Sequence, residues 1–109
     1  MYLRGKETLM NINFEYDHVS ASDRLEIFTS EKIQKLIDHH DNIVAIDVYF
    51  KTHNSKADDD GRVCGIRLNV PRNTLFAETS AENFENAVTE TVNELQRQLK
   101  RYKEKLRSY

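Results

Sequence analysis

The sequence predicts an α+β domain: a two-layer β-α-β-β-β-α sandwich, in which two helices cover one face of a four-stranded, mostly antiparallel sheet. Three observations carry that prediction. Alternating apolar residues mark four short strands, two longer segments carry apolar residues at helical spacing, and the 109-residue chain suffices for one core but not for two ordinary domains.

The first strand is read over Met10–Tyr16, where Met10, Ile12, Phe14 and Tyr16 fall on one side. Residues 1–9 have no period and are read as an N-terminal extension that adds little to the fold, leaving 10–109 as one domain. Ser22 caps a helix whose Leu25, Phe28, Ile33, Leu36 and Ile37 recur every three to five residues and which ends near His39-His40-Asp41-Asn42. Ile27 falls off that stripe. The run Ile43–His53 is β-branched and aromatic, with Val44, Ile46, Val48 and Phe50 on one face and Asp47, Tyr49 and Lys51 on the other. The polar segment Asn54–Gly61 makes a hairpin loop. Cys64, Ile66, Leu68 and Val70 then form the inward face of a third strand, opposite Gly65, Arg67 and Asn69. Pro71-Arg72-Asn73 turns the chain into a short fourth strand, Thr74–Thr79, with Leu75 and Ala77 inward. Ser80 caps the second helix, Glu82 and Glu85 sit near its positive end, and its stripe runs Phe84, Val88, Val92, Leu95, Leu99, Tyr102, Leu106. The crossover between the first two strands is long enough to make that pair parallel, with right-handed connection.

Composition excludes several classes. Hydrophobic residues make up 39% and charged residues 31%, which suits a polar folded domain and not a disordered or fibrous chain. No stretch approaches the ~18 apolar residues of a membrane span, and the N-terminus lacks the apolar core of a signal peptide, so a cytoplasmic location is expected. The single Cys64 excludes an internal disulfide and a Cys-pair zinc site.

Charge is unevenly distributed. The chain carries −2 overall, yet residues 97–109 hold six cations and one acid, a local +5 set against −7 for the remaining 96 residues. Arg97, Lys100, Arg101, Lys103, Lys105 and Arg107 spread around every face of the last helical turns that the Leu95/Leu99/Tyr102/Leu106 stripe does not bury. Two cations would complement the helix dipole; six within eleven residues point further, to a phosphate-binding surface. On the first helix Arg24, Lys32, Lys35 and His39 share one flank and form a second, weaker strip. Side by side, two such strips suit an RNA backbone. Tyr49 and Arg67, on the sheet face away from the helices, either stack on bases or simply cover an open face.

Catalytic constellations are scarce. Asp38-His39-His40-Asp41 lacks recurring ligands at zinc spacing, and Asp58-Asp59-Asp60-Gly61 lacks the alternating ligands of a calcium loop. Cys64 reads as a core thiol. With no Gly-rich phosphate loop and no nucleophile-base arrangement, neither an enzyme, a cofactor nor a small-molecule substrate is expected.

Four segments, MNINFEY from Met10, SDRLEIFTSEKIQKL from Ser22, IRLNVPRNTLFAETSAENFENAV from Ile66 and ELQRQLKRYKEKLR from Glu94, together resemble the short ribosome hibernation-promoting factors, also called ribosome-associated translation inhibitors. The resemblance covers Met10 to about Arg107. It implies a β-α-β-β-β-α fold similar to double-stranded-RNA-binding domains, seated in the small ribosomal subunit where messenger and transfer RNA would bind, so that translation stops in starvation or stationary phase. The rRNA contacts it implies fall on Arg24, Lys32 and Lys35 of the first helix and Arg97, Lys100, Arg101, Lys103 and Lys105 of the second. Long members carry a C-terminal domain that joins two ribosomes; this chain ends after its second helix, so dimerisation by that route is not expected. The alternatives are a generic double-stranded-RNA module and a protein-interaction domain with an acidic partner.

Overall fold

The computed structural model describes residues 12–38, 43–53 and 61–107. Their order is β1 (Ile12–Asp17), α1 (Asp23–Asp38), β2 (Ala45–Thr52), β3 (Arg62–Val70), β4 (Asn73–Ala81) and α2 (Phe84–Arg107). The strands form one sheet in the order β1-β2-β3-β4. β1 runs parallel to β2 in the register Ile12↔Ile46 to Asp17↔Lys51, and the other two pairings are antiparallel. Because each helix returns against the strand before it, α1 and α2 run in the same direction.

Alternation along the strands decides what is buried. Ile46, Val48 and Phe50 of β2, Cys64, Ile66 and Leu68 of β3, and Leu75, Ala77 and Ala81 of β4 face the helices. Against them lie Leu25, Ile33 and Leu36 of α1 and Ala87, Val88, Val92, Leu95 and Leu99 of α2. Phe50, fully buried, gathers three aromatic neighbours: Phe14 and Tyr16 stack at 6.5 and 5.5 Å, and Phe84 meets it edge-on at 5.5 Å. Ile27, off the stripe, is 61% exposed.

Ser22 caps α1, its Oγ accepting the Leu25 amide at 3.1 Å. Tyr16 donates its hydroxyl to Glu26 at 2.7 Å, joining β1 to the first turn of α1. Burial, then that bond, pushes the Tyr16 phenol up to about 12. Thr91, fully buried on α2, has its hydroxyl 2.6 Å from that of Thr79 on β4; the pair serves the carbonyl of Ala87, and Thr91 also reaches that of Cys64 at 3.2 Å. This polar contact fixes the height of α2 on the sheet, since a shift along the axis would strand the buried Thr91 hydroxyl and its half-buried Thr79 partner.

Several expected boundaries are corrected. Ser80 does not cap α2: it pairs with Val63 in the sheet, β4 continues to Ala81, and Asn83 is the cap, its Oδ1 accepting the Asn86 amide at 2.7 Å. Asn73 belongs to β4, so the connection from β3 is the two-residue turn Pro71-Arg72. Val44 precedes β2 and is 66% exposed, not inward as the alternation implies. Leu106 is 51% exposed, since α2 outruns the sheet beneath it. Met10, residues 1–9, the loop aspartates 58–60 and His39 to Asn42 lie outside the described residues.

On the face away from the helices Tyr49 lies flat across Gly65, and its hydroxyl bonds to Glu78 on β4. A Cβ at position 65 would overlap the Tyr49 ring. Gly65→Ala is therefore expected to destabilise the domain by about 1–3 kcal/mol through displacement of that ring. In chemical denaturation the Gly65→Ala/Tyr49→Ala pair should cost less than the two single changes added together; strict additivity would refute the clash.

Candidate nucleic-acid interface

The cations singled out by sequence fall at two ends of the helix pair. Arg24, in the first turn of α1, bonds Glu85 in the first turn of α2 at 3.2 Å, which places the two N-termini side by side. Twelve residues separate Glu85 from Arg97, roughly 18 Å of helix. Arg24 thus sits beside the acid-rich half of α2 and is not brought together with the C-terminal cations. Lys32 and Lys35 lie on the second half of α1, the end shared with the basic turns of α2. Lys32 is half-buried with its ammonium 5.5 Å over the Phe28 ring, and Lys35 is exposed in the last turn, where a cation complements the dipole.

On α2, Arg97 donates twice to Glu94, at 3.1 and 2.7 Å. Glu94 also accepts from Gln98 at 3.3 Å, and Gln98 in turn donates to the Phe76 carbonyl of β4 at 3.0 Å. The Arg97 bond, then the Gln98 bond, hold the Glu94 carboxyl below its ordinary range. Arg97 also borders a surface cavity of about 430 Å³ between β4 and α2, lined by Glu78, Thr79, Glu90, Asn93 and Glu94. Three carboxylates make that cavity unsuited to phosphate.

One turn further on the setting changes. Lys100, Arg101 and Lys105 are exposed and Lys103 is half-buried. Among the described residues Lys35, Lys100, Arg101, Lys103 and Lys105 form no ion pair, in contrast to Arg24 and Arg97. These five are open to an external anion. Tyr102, between Arg101 and Lys103, donates its hydroxyl to the Pro71 carbonyl at 3.0 Å and so brings the β3–β4 turn to the same end. Arg72 in that turn, absent from the candidates that the sequence points to, is exposed there.

The open sheet face is held by its own pairs. Tyr49 stacks on Phe76 at 6.3 Å and bonds Glu78; Lys51 meets Glu78 at 3.4 Å, and Arg67 meets Asp47 at 3.7 Å. Burial and the Glu78 bond raise the Tyr49 phenol above its ordinary value. Cys64 is fully enclosed, and burial pushes its thiol up to about 12, which makes it a poor nucleophile at neutral pH. Among the described residues no cluster of three or more His, Cys, Asp or Glu could hold a metal, and no helix is long and apolar enough to cross a membrane.

The small α+β fold thus gathers its cations without ion-pair partners toward the C-terminal ends of its two helices. Residues 12–107 match the family model described as Sigma 54 modulation protein / S30EA ribosomal protein. The chain belongs to that family, whose members associate with the ribosome and act by binding and not by catalysis. It is 26% identical over 99 residues to a ribosome hibernation promoting factor of Pseudomonas putida, covering 91% of this chain and 92% of that relative. Its fold is that of a ribosomal subunit interface protein from Coxiella burnetii, with a TM-score of 0.76 at 21% identity over 86% of this chain and 98% of the other. The N-terminal domain of Protein Y from Thermus thermophilus superposes with a TM-score of 0.71 at 19% identity, over 85% and 99% of the two chains.

Glu94→Gln removes the acid that occupies Arg97. The variant is expected to elute from a heparin column at higher salt than the unaltered protein, whereas Lys100→Ala/Arg101→Ala elutes earlier; equal elution of all three would deny this end of α2 any part in anion binding.

Proposed function

We propose that this chain is a cytoplasmic ribosome hibernation factor that binds the small ribosomal subunit through rRNA phosphates and occludes the sites of messenger and transfer RNA. It acts sterically and without cofactor. Translation is held off, and idle ribosomes are kept intact, in starvation or stationary phase. The observation that carries this reading is the group of cations without ion-pair partners toward the C-terminal ends of the helices, the exposed Lys35, Lys100, Arg101 and Lys105 with the half-buried Lys103. The similarity to the Pseudomonas putida hibernation promoting factor and to the Coxiella burnetii ribosomal subunit interface protein supports it. Of the other residues that the family resemblance assigns to rRNA, Arg24 and Arg97 contribute after release from Glu85 and Glu94, and Lys32 contributes from the edge of the same surface.

Phosphate contacts make binding steeply salt-dependent, because each neutralised phosphate releases counterions. Replacing Lys100, Arg101 and Lys105 together by Ala is expected to flatten the slope of log affinity against log salt by up to about 0.7–0.9 for each phosphate no longer neutralised, with the fold intact. Co-sedimentation with vacant small subunits across a salt series, with free RNA duplex as competitor, is the check. A slope unchanged in the triple variant sinks the reading. Equal loss of wild-type binding to the duplex replaces it with generic duplex recognition, and binding that survives nuclease treatment replaces it with a protein partner.

A further inference from the structure

The turn between β3 and β4 carries a residue that its conformation disfavours. Val70 pairs with Asn73, so the loop is the two residues Pro71 and Arg72. The ring of Pro71 holds its φ near −65°, which excludes the mirror-image turns that normally join hairpin strands, since those need positive φ at the first loop position. Arg72 then takes φ 66°. A negative φ followed by a positive one defines a type II turn, whose second loop position suits Gly or Asn, and an arginine there is strained against its own Cβ.

Strain of this kind persists only where the surroundings enforce it. His18, with φ 59°, gains a contact from its conformation, its ring nitrogen lying 2.7 Å from Asp17. Arg72 gains none: it is exposed and, among the described residues, makes no hydrogen bond or ion pair. What enforces the turn is Tyr102. Types I and II differ by a flip of the central peptide, whose carbonyl belongs to Pro71, and that carbonyl accepts the Tyr102 hydroxyl at 3.0 Å. The same bond holds the turn against α2 between Arg101 and Lys103.

We infer that Arg72 is a third phosphate-contacting element of the RNA interface, presented beside the basic end of α2 by the strained Pro71-Arg72 turn and held there by Tyr102. The inference rests on the ribosomal reading above. It adds a sheet-borne cation to those of the two helices and gives Tyr102 a positioning role distinct from its packing.

The test uses the full chain, vacant small subunits and four variants. Arg72→Gly relieves the strain and removes the charge, so its thermal midpoint should be unchanged or higher while its salt slope falls by about 0.7–0.9, one phosphate contact. The wild-type advantage over it should then shrink about threefold between 50 and 200 mM salt. Arg72→Lys should recover part of the binding, and Tyr102→Phe, which keeps every charge, should weaken binding at low salt. If Arg72→Gly binds with wild-type affinity and slope while Lys100→Ala/Arg101→Ala/Lys105→Ala fails to bind, the inference is overturned and the ribosomal reading stands. If neither variant changes a measurable slope, both are overturned. An Arg72→Gly protein that unfolds earlier also overturns it, by showing that the arginine serves the fold.

Discussion

The seating of α2 on the sheet is the constraint from which the rest of the structure follows. Its 24 residues span roughly 36 Å, longer than the nine-residue strands beneath it. Ala87, Val88, Leu95 and Leu99 are all fully buried, and the Thr79–Thr91 contact sets the helix at one height. A buried Val or Leu contributes about 1.5–3 kcal/mol, so the first four turns alone secure the helix. Past Tyr102, which still packs on the core, the helix end is free of it, as the exposure of Leu106 shows. Like-charged neighbours at helical spacing repel by only a few tenths of a kcal/mol each, a load that the anchored helix carries easily. Core packing and the exposed cations thus fall on different lengths of one helix.

The shared direction of the helices compounds this division. Both dipoles present their negative ends at the pole that carries Lys35 and the α2 cations, which favours those cations even in the absence of a ligand. Both positive ends lie at the opposite pole, among Asp23, Glu26 and Glu85. The arginines nearest the acids, Arg24 and Arg97, are already engaged by Glu85 and Glu94. Such exposed pairs are worth little energetically, and an external phosphate competes with them readily. They leave Arg24 and Arg97 held by carboxylates while Lys100, Arg101, Lys103 and Lys105 stand without ion-pair partners among the described residues.

The strands and helices are legible in the sequence because their periods are clean. Ile46, Val48 and Phe50 alternate inward as expected, and Ser22 caps as expected. The start of α2 is ambiguous in sequence because Ser80 and Asn83 are both good caps, and the choice between them depends on how long β4 keeps its pairing with β3, a tertiary fact. Of the candidate interface, the α2 cluster is legible from charge density alone. Sequence gives the flank that Arg24 shares with Lys32 and Lys35 but not its place beside Glu85, because a helical wheel records angle and not height along the axis, and roughly 18 Å of α2 separates Glu85 from Arg97 at about 1.5 Å per residue. Arg72 reads in sequence as turn punctuation only. A signal is present, since Pro followed by a residue other than Gly or Asn in a two-residue hairpin implies a disfavoured φ, but using it requires knowing that the loop is two residues long.

The acidic remainder of the molecule completes the electrostatic logic. A cationic end alone would attach to any nucleic acid through phosphates, because that attraction carries no sequence information. Here the unpaired cations of α2 lie at one pole, and the cavity beside Arg97 is lined by Glu78, Glu90 and Glu94. A bare duplex presents phosphate around its whole circumference, so any approach deeper than the pole brings it against carboxylates. A cleft that offers phosphate to the pole and leaves the acidic flank facing solvent or basic protein avoids that repulsion. On the ribosomal reading, discrimination between the two would rest on where the negative charge stands as much as on the lysines, since specificity is a difference between affinities and repulsion enlarges it.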